Sequence, residues 1–355
     1  MTLLPLLAFA LTALVHLAAL KIFPALGILD FPERYGFNRP RLPYPTGILL
    51  IICFIAIFLF LEEMTMQSVG VTIGIALLGI FAFIDDRTPL PSSLRLGIQI
   101  LVALIIFLTG TRIFSLTNPL SVVFPSSVID LDNLVIPWAF FSNPSVIGAL
   151  FTVIWLGLTM NALNWFDGIP GQVSTLSAIG FFTIGFLSLS DRVNQPELAT
   201  IAFVLGSISL AALLFDFPPP RVLMGDTGSM FFGLMLGVLT IYAGGKVATA
   251  FLVLGVPLID SLIVIVRRLL KGVSIFRGNT RDEHLHHRLL LKGWSARQII
   301  LLTAAIGAGF GTSALFMSTL EKFLAGIVLF ILMLFLSYYS RPEIDPAGAG
   351  SISTK

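Results

Sequence analysis

Charge and cysteine are what this chain has least of. Only 11% of its 355 residues are charged, against roughly 25% in a soluble globular domain, so a solvated globule is excluded. The single Cys53 lies inside an apolar run, which excludes an internal disulfide framework and a cysteine-built zinc site. The formal net charge of +2 carries no nucleic-acid signal, and no nucleic-acid partner is expected. What fills the sequence is apolar: 56% hydrophobic residues with 31 Phe and a mean hydropathy of +0.98. No water-facing surface hides so many phenylalanines, whereas a bilayer accepts them as lipid-facing side chains. The composition predicts an all-α polytopic membrane protein.

Segments near the roughly 20 residues that cross a bilayer fall at 2–20, 45–61, 68–84, 94–109, 145–163, 173–190, 197–215, 229–242, 247–266, 298–317 and 323–339, about eleven in all. Alternating the loops puts Arg112, Arg192, Lys246 and Lys322 on one side and every other one of the 21 Lys and Arg residues on the opposite side. By the positive-inside rule the second side is cytoplasmic, with the N-terminus outside. The first segment reads as a span; a cleaved signal peptide is the competing reading, but it lacks a basic start. Residues 110–144 read as an outer loop with a short hairpin around Val128–Val135. Residues 1–340 form a single integral membrane domain, and 341–355 read as a disordered cytoplasmic tail. No internal repeat is visible, which weakens an inverted-repeat transporter reading.

Carboxylates at span ends are costly unless they have a task, and here they gather on the expected cytoplasmic face. Asp85 and Asp86 end the third span; adjacent helical side chains diverge by about 100°, so one suits a metal and the other a neighbouring role. The bland alternative is a solvated pair with Arg87 as partner. Asn161, Asn164 and Asp167 recur every three residues, a polar stripe that suits recognition of a polar ligand, with helix capping as the alternative. In Gly-Asp-Thr-Gly-Ser at 225–229, Gly225 and Gly228 permit close backbone approach. Asp226 sits at a helix start, where free N–H groups face an anion while a carboxylate holds a cation; a plain N-cap is the alternative. Arg221, on the same side, tips that balance toward phosphate.

His284, His286 and His287 cluster in a basic loop with Arg281 and Arg288. If helical, His284 and His287 share a face and His286 does not; phosphate binding or proton exchange fits imidazoles among arginines, with zinc as the rival. The fourth histidine, His16, reads as a hydrogen-bonded interior residue. Asp260 lies seven residues before Arg267, roughly 10 Å below the membrane edge on a straight helix, and an intramembrane acid is a functional candidate by default. Carboxylates for a divalent cation, a helix start, arginines and histidines together make a phosphoryl-transfer constellation at a membrane edge.

At these residues the chain resembles the polyprenyl-phosphate N-acetylhexosamine-1-phosphate transferase family. The resemblance rests on Asp85-Asp86, Asn161-Ala-Leu-Asn-Trp-Phe-Asp-Gly168, Arg221 to Ser229, Pro257 to Asp260, and His284 to Leu289. It implies transfer of a sugar-1-phosphate, GlcNAc by the form of the histidine motif, from a UDP-N-acetylhexosamine to undecaprenyl phosphate in the plasma membrane, with release of UMP. Mg²⁺ is the implied cofactor, Mn²⁺ a substitute, and a homodimer a candidate assembly. It further implies Asp226 and Asp86 on the metal and Asp85, Asp86, Asp167 and His287 in catalysis. Asn161, Asn164, Arg221, Arg281, His284 and His286 would contact substrate, with Asp260 as a further candidate. The chain departs from the family where an acid usually follows the Asp-Gly pair, since Pro170 stands there, and where the inner loop reads Pro43-Tyr-Pro-Thr-Gly-Ile48. Arg281-Asp282-Glu283 also precedes the histidines with unusual spacing. The competing functions are phospho-MurNAc-pentapeptide transfer, ion-coupled transport, and a catalytically silent lipid-phosphate binder.

Overall fold

The computed structural model describes residues 3–35, 39–61, 63–119, 121, 126–138, 141–244, 246–274 and 283–341. The described residues are helical apart from one small hairpin and the connecting loops. Its helices are α1 (Leu3–Ala25), α2 (Gly47–Leu61), α3 (Met66–Arg87), α4 (Ser92–Leu108), α5 (Val146–Phe166), α6 (Gln172–Leu189), α7 (Pro196–Asp216), α8 (Gly225–Tyr242), α9 (Val247–Val253), α10 (Gly255–Leu270), α11 (Leu285–Leu291), α12 (Ala296–Phe316) and α13 (Thr319–Tyr339). Strands β1 (Ser115–Thr117) and β2 (Val128–Asp130) pair antiparallel between α4 and α5. The hairpin expected in this stretch is present, with only the first residues of the 128–135 run in it.

Local chemistry sets the helix boundaries. Ser318 and Glu321 close a reciprocal capping box at the start of α13, as Ser295 and Gln298 do for α12 and Thr65 and Ser68 for α3. α5 stops at Asp167, before Gly168 and Pro170. Among the described residues seven helices are long and apolar enough to cross a membrane, and an eighth span is formed if α9 and α10 count as one. α2 and α4 are shorter apolar helices. The expected straight ninth span, 247–266, is a correction: α9 and α10 meet at an 85° bend. Pro257 has no N–H to donate back to the carbonyl of Val253, so the hydrogen-bond ladder breaks there.

α8 is the axis of the bundle, buried along nearly its whole length and packed against α5, α3 and α2. Gly47 makes the α2 crossing: a Cβ there would lie 2.1 Å from the nitrogen of Gly228. α6 and α7 pack side by side, with α1 outside α7 and α12 against α6. Large apolar side chains such as Leu14, Phe60, Phe316 and Phe335 remain exposed on the periphery, where a bilayer replaces water as solvent. α3, α5 and α7 finish, and α6 and α8 begin, at one end of the bundle, which is where most of the sequence-selected acids fall. The tail expected at 341–355 lies outside the described residues beyond Arg341, as does Arg281.

Candidate active site

At that end of the bundle a cavity of about 220 Å³ is lined by Asp86, Asp167, Asp216 and Asp226, with Tyr44, Pro170 and the rim residues Asp30, Arg39 and Arg87. It is built first by Asp86. Its Oδ1 accepts from the Tyr44 hydroxyl (2.7 Å) and the Asp226 N–H (2.9 Å), and its Oδ2 from the Thr227 N–H (3.0 Å) and hydroxyl (2.5 Å). The anion at the start of α8 is thus a carboxylate of the chain itself. This corrects the reading of those N–H groups as a free anion site, and with both oxygens engaged Asp86 orients α8. Gly225 makes the approach feasible. Its φ is +73°, which L side chains rarely adopt, and a Cβ would sit 2.6 Å from Asp86 Oδ2.

Asp85 points elsewhere, as the 100° divergence requires. Its Oδ1 accepts from the Leu90 N–H (2.6 Å) and its Oδ2 pairs with Arg95 Nε (3.1 Å). It does not line the cavity, a correction to its expected place beside the substrate: the short turn into α4 takes its carboxylate as a cap. Arg95 then spans to Asp226, donating from Nη2 to Oδ2 (2.9 Å). Arg87, expected beside the Asp pair, instead donates to the carbonyls of Leu29 (3.0 Å) and Gly27 (3.2 Å).

Asn161, Asn164 and Asp167 do share a face of α5, but only Asp167 reaches the cavity. Asn161 exchanges hydrogen bonds with Gln99 of α4 (2.7 and 3.4 Å), and Asn164 donates to Ser229 of α8 (3.3 Å) and accepts from Arg95 (3.5 Å). Their amides thus join helices in this structure. Arg221 lies over the ring of Phe215, 4.7 Å from its centroid, and is not a cavity residue. Burial, followed by the charges of Asp216, Asp226 and Asp86, pushes the Asp167 carboxyl well above the ordinary carboxylate range.

The histidines pack beside the acids rather than among them. His284 Nδ1 donates to Asp260 Oδ2 (2.8 Å), whose Oδ1 accepts from the Leu285 N–H (3.0 Å). Asp260 therefore anchors the histidine loop, and it shares the uninterrupted α10 with Arg267, seven residues on. His284 is the residue before α11, not part of it, so the shared face with His287 does not form. Instead the His284 and His286 rings stack at 5.7 Å and 10°, and His286 and His287 lie 4.2 Å apart. His286 rests on Gly168, where a Cβ would meet its Nε2 at 2.0 Å. Burial, then His287, His284 and Arg288, hold His286 well below the usual imidazole range. Both its nitrogens and His284 Nε2 are buried without a hydrogen-bond partner among the described residues. His287 alone of the three is partly exposed.

Among the described residues no three acids, histidines or cysteines converge as a preformed metal cage; Asp282, which the zinc reading needs, lies outside them. The donors nevertheless fit Mg²⁺, a hard ion held by one or two carboxylates, waters and substrate phosphates. Asp216 is 2% exposed, accepts from the Ser174 hydroxyl (2.5 Å) through Oδ2, and keeps a buried Oδ1 with no partner among the described residues. Asp216, Tyr44, Arg39 and Arg95 were not singled out by sequence. The criterion that selects Asp85 and Asp167, an acid closing an apolar run, also selects Asp216; Tyr44 and Arg95 become visible only through contacts with residues far away in the chain.

A family model described as glycosyl transferase family 4 matches residues 68–244. A probable undecaprenyl-phosphate N-acetylglucosaminyl 1-phosphate transferase of Bacillus subtilis (strain 168) is 33% identical over 191 residues, 52% of each chain. An undecaprenyl-phosphate alpha-N-acetylglucosaminyl 1-phosphate transferase of Escherichia coli (strain K12) is 30% identical over 205 residues, 54% of each. A decaprenyl-phosphate N-acetylglucosaminephosphotransferase of Mycobacterium tuberculosis (strain CDC 1551 / Oshkosh) is 35% identical over 167 residues, 40% of this chain and 41% of that one. The chain thus spans about half the length of the first relatives it matches. The matched segment runs from α3 through α8 and carries Asp86, Asp167, Asp216 and Asp226, leaving the histidine loop and Asp260 outside it. On this match the chain belongs to glycosyl transferase family 4.

Proposed function

We propose that the chain transfers N-acetylglucosamine-1-phosphate from UDP-N-acetylglucosamine to undecaprenyl phosphate or a related polyprenyl phosphate, at the cytoplasmic face of the plasma membrane. The observation that carries this reading is the cavity that gathers five carboxylates, Asp30 at its rim among them, and two rim arginines at one end of an apolar bundle. A water-soluble nucleotide-sugar and a lipid phosphate can meet only at such an edge. The names of the relatives support GlcNAc over the MurNAc-pentapeptide alternative. The transporter reading loses its deep carboxylate, because Asp260 is committed to His284 and Leu285.

In the reaction, an oxygen of the lipid phosphate forms a new bond to the sugar-bearing phosphorus. The bridging P–O bond breaks, and UMP leaves with the bridging oxygen. A phosphate monoester has a second pKa of about 6, so the nucleophile is largely dianionic at neutral pH and needs little help from a base. Bound Mg²⁺ would supply charge neutralisation to the pyrophosphate. Asp226, Asp167 and Asp216 are the residues that would hold it. Arg87, and Arg39 in its ion pair with Asp30 (2.6 Å), stand at the rim, where phosphates of the incoming substrate fit. Asp86 and Arg95 position Asp226 by fixing the first turn of α8. His287, next to the buried His286, stands closest to solvent of the three imidazoles and suits contact with a phosphate oxygen.

Purified protein incubated with polyprenyl phosphate, Mg²⁺ and a panel of UDP-sugars tests the reading. UMP release with UDP-N-acetylglucosamine and a lipid product of the mass of GlcNAc-pyrophosphoryl-polyprenol is expected. No UMP release with any UDP-sugar, or release only with UDP-MurNAc-pentapeptide, overturns it.

A further inference from the structure

The opposite end of the bundle holds a second and larger cavity, of about 770 Å³. α6 runs from one to the other: Gln172 starts it beside Pro170 of the carboxylate cavity, and Leu187 near its end lines the second. The separation is that of an 18-residue helix, roughly 27 Å. The walls are apolar, with Phe251, Phe323, Ile327 and Phe330 among them, yet Arg192, Lys246 and Lys322 also line it. No acidic side chain is among the lining residues described. The nearest acid on α13, Glu321, is committed to the helix cap, accepting from the Ser318 N–H at 2.6 Å.

Two of the cations are aimed by the fold. Arg192 donates to the carbonyls of Met317 (2.7 Å) and Phe316 (3.4 Å), which fastens the loop after α6 to the α12–α13 turn. Lys322 donates to the Thr249 hydroxyl at 2.8 Å. Lys246, at the start of α9, has no side-chain hydrogen bond or ion pair among the described residues. Three like charges grouped against an apolar wall repel one another and cost desolvation, so an anion entering there is favoured by both effects. A neutral apolar ligand would leave the charges uncompensated. A free inorganic anion would leave the apolar wall wet. Phe323, Ile327 and Phe330 remain about two-fifths exposed on α13, so the wall continues outward to where lipid chains would lie.

We propose that this cavity binds an anionic phospholipid, its phosphate diester among Arg192, Lys246 and Lys322 and its acyl chains along α13. The site is separate from the carboxylate cavity, and its occupancy does not depend on the transferase reading. The test uses full-length protein, delipidated and titrated with dioleoyl phosphatidylglycerol or dioleoyl phosphatidylcholine, with bound lipid counted by native mass spectrometry. Retention of phosphatidylglycerol at least fivefold over phosphatidylcholine is expected. Lys246→Gln and Lys322→Gln should each lower that affinity about fivefold, the effect of one basic residue near a lipid headgroup. Lys246→Gln is the variant to read first, because the lysine makes no bond that folding relies on. Equal retention of the two lipids, or unchanged retention in Lys246→Gln, overturns the proposal. Displacement of phosphatidylglycerol by millimolar inorganic phosphate overturns it in favour of a free-anion site.

Discussion

Gly168→Ala is the smallest change that would separate the two halves of the candidate site. The new methyl carbon would lie 2.0 Å from His286 Nε2 and 2.6 Å from its Cδ2. The imidazole has no room to yield: it is 1% exposed, edge-on to Phe166, stacked on His284, and flanked by the tilted ring of His287. Either the 284–291 segment moves away from α5 or the turn carrying Asp167 shifts toward the cavity. Overpacking of this kind costs about 1–3 kcal/mol, offset by the ~0.4–1 kcal/mol that alanine gains from a less flexible unfolded chain. Thermal unfolding in detergent should therefore show a modest loss of stability. UMP release should fall by at least tenfold, because displacement of a positioned group by about 1 Å costs on the order of 100-fold in rate. The decisive measurement is the double-mutant cycle with His286→Ala, which removes the ring that the methyl strikes. A coupling of about 1–3 kcal/mol in stability is expected for groups in direct contact. Additive effects within about 0.5 kcal/mol, or a Gly168→Ala protein indistinguishable from the parent, would refute the packing of the histidine loop on this turn.

Asp86→Asn replaces a carboxylate that accepts four hydrogen bonds by an amide with a single acceptor oxygen. It should cost about 1–3 kcal/mol in unfolding free energy and lower kcat more than it raises KM, since Asp86 acts through the position of α8. Arg95→Gln should weaken activity by removing the link between Asp85 and Asp226, and Arg95→Lys should fail to restore it, because one ammonium cannot reproduce the two-sided guanidinium contact; full rescue by lysine would count against that role. His286 is held below the usual imidazole range, so the unfolded chain takes up a proton near pH 6.5 that the folded one refuses. Its stabilising contribution is present above pH 6.5 and is lost as pH falls below it; unfolding curves of His286→Gln should lack that acid-side loss. Asp216→Asn keeps the acceptor for Ser174 but removes the charge, and should weaken Mn²⁺ binding measured by electron paramagnetic resonance without lowering Tm.

How much of this was legible in the sequence follows from what periodicity can encode. Every apolar segment marked off between punctuation is helical, because burial in lipid or in neighbouring helices demands the same pattern over 15 or more residues. The bend at Leu254 was not foreseen, although Pro257 signalled it, because hydropathy registers composition and not the missing N–H. In the site, residue types were read more reliably than their tasks. Asp85, Asn161 and Asn164 are polar groups at the membrane edge, as selected, but each is satisfied by a partner beyond its own helix: Leu90 in the next turn and Arg95, Gln99, and Ser229. A polar stripe on one helix has the same spacing whether it meets a ligand or a neighbouring amide. Only the identity of the facing residue distinguishes them, and that is a fact of tertiary structure.

The Asp-Gly-Ile-Pro-Gly turn carries this point into the chemistry. Pro170 places a side chain without charge at the edge of the carboxylate cavity, three residues after Asp167, where the family pattern has a second acid. Gly171 packs on the end of α7, where a Cβ would approach the Phe217 Cα to 3.0 Å, and Ser174 one turn later bonds Asp216. The same turn that lacks the acid in its own sequence therefore holds an acid from another helix against the same cavity. A proline at 170 pre-sets the turn, and the carboxylate reaches the site from the end of an apolar helix instead of from a loop. The negative charge of the cavity is thus a property of the assembled bundle: Asp86, Asp167, Asp216 and Asp226 come from α3, the end of α5, α7 and α8, and none of the four has a sequence neighbour among the others. A chain can exchange the source of one such carboxylate while keeping the field that a divalent ion and a pyrophosphate would meet.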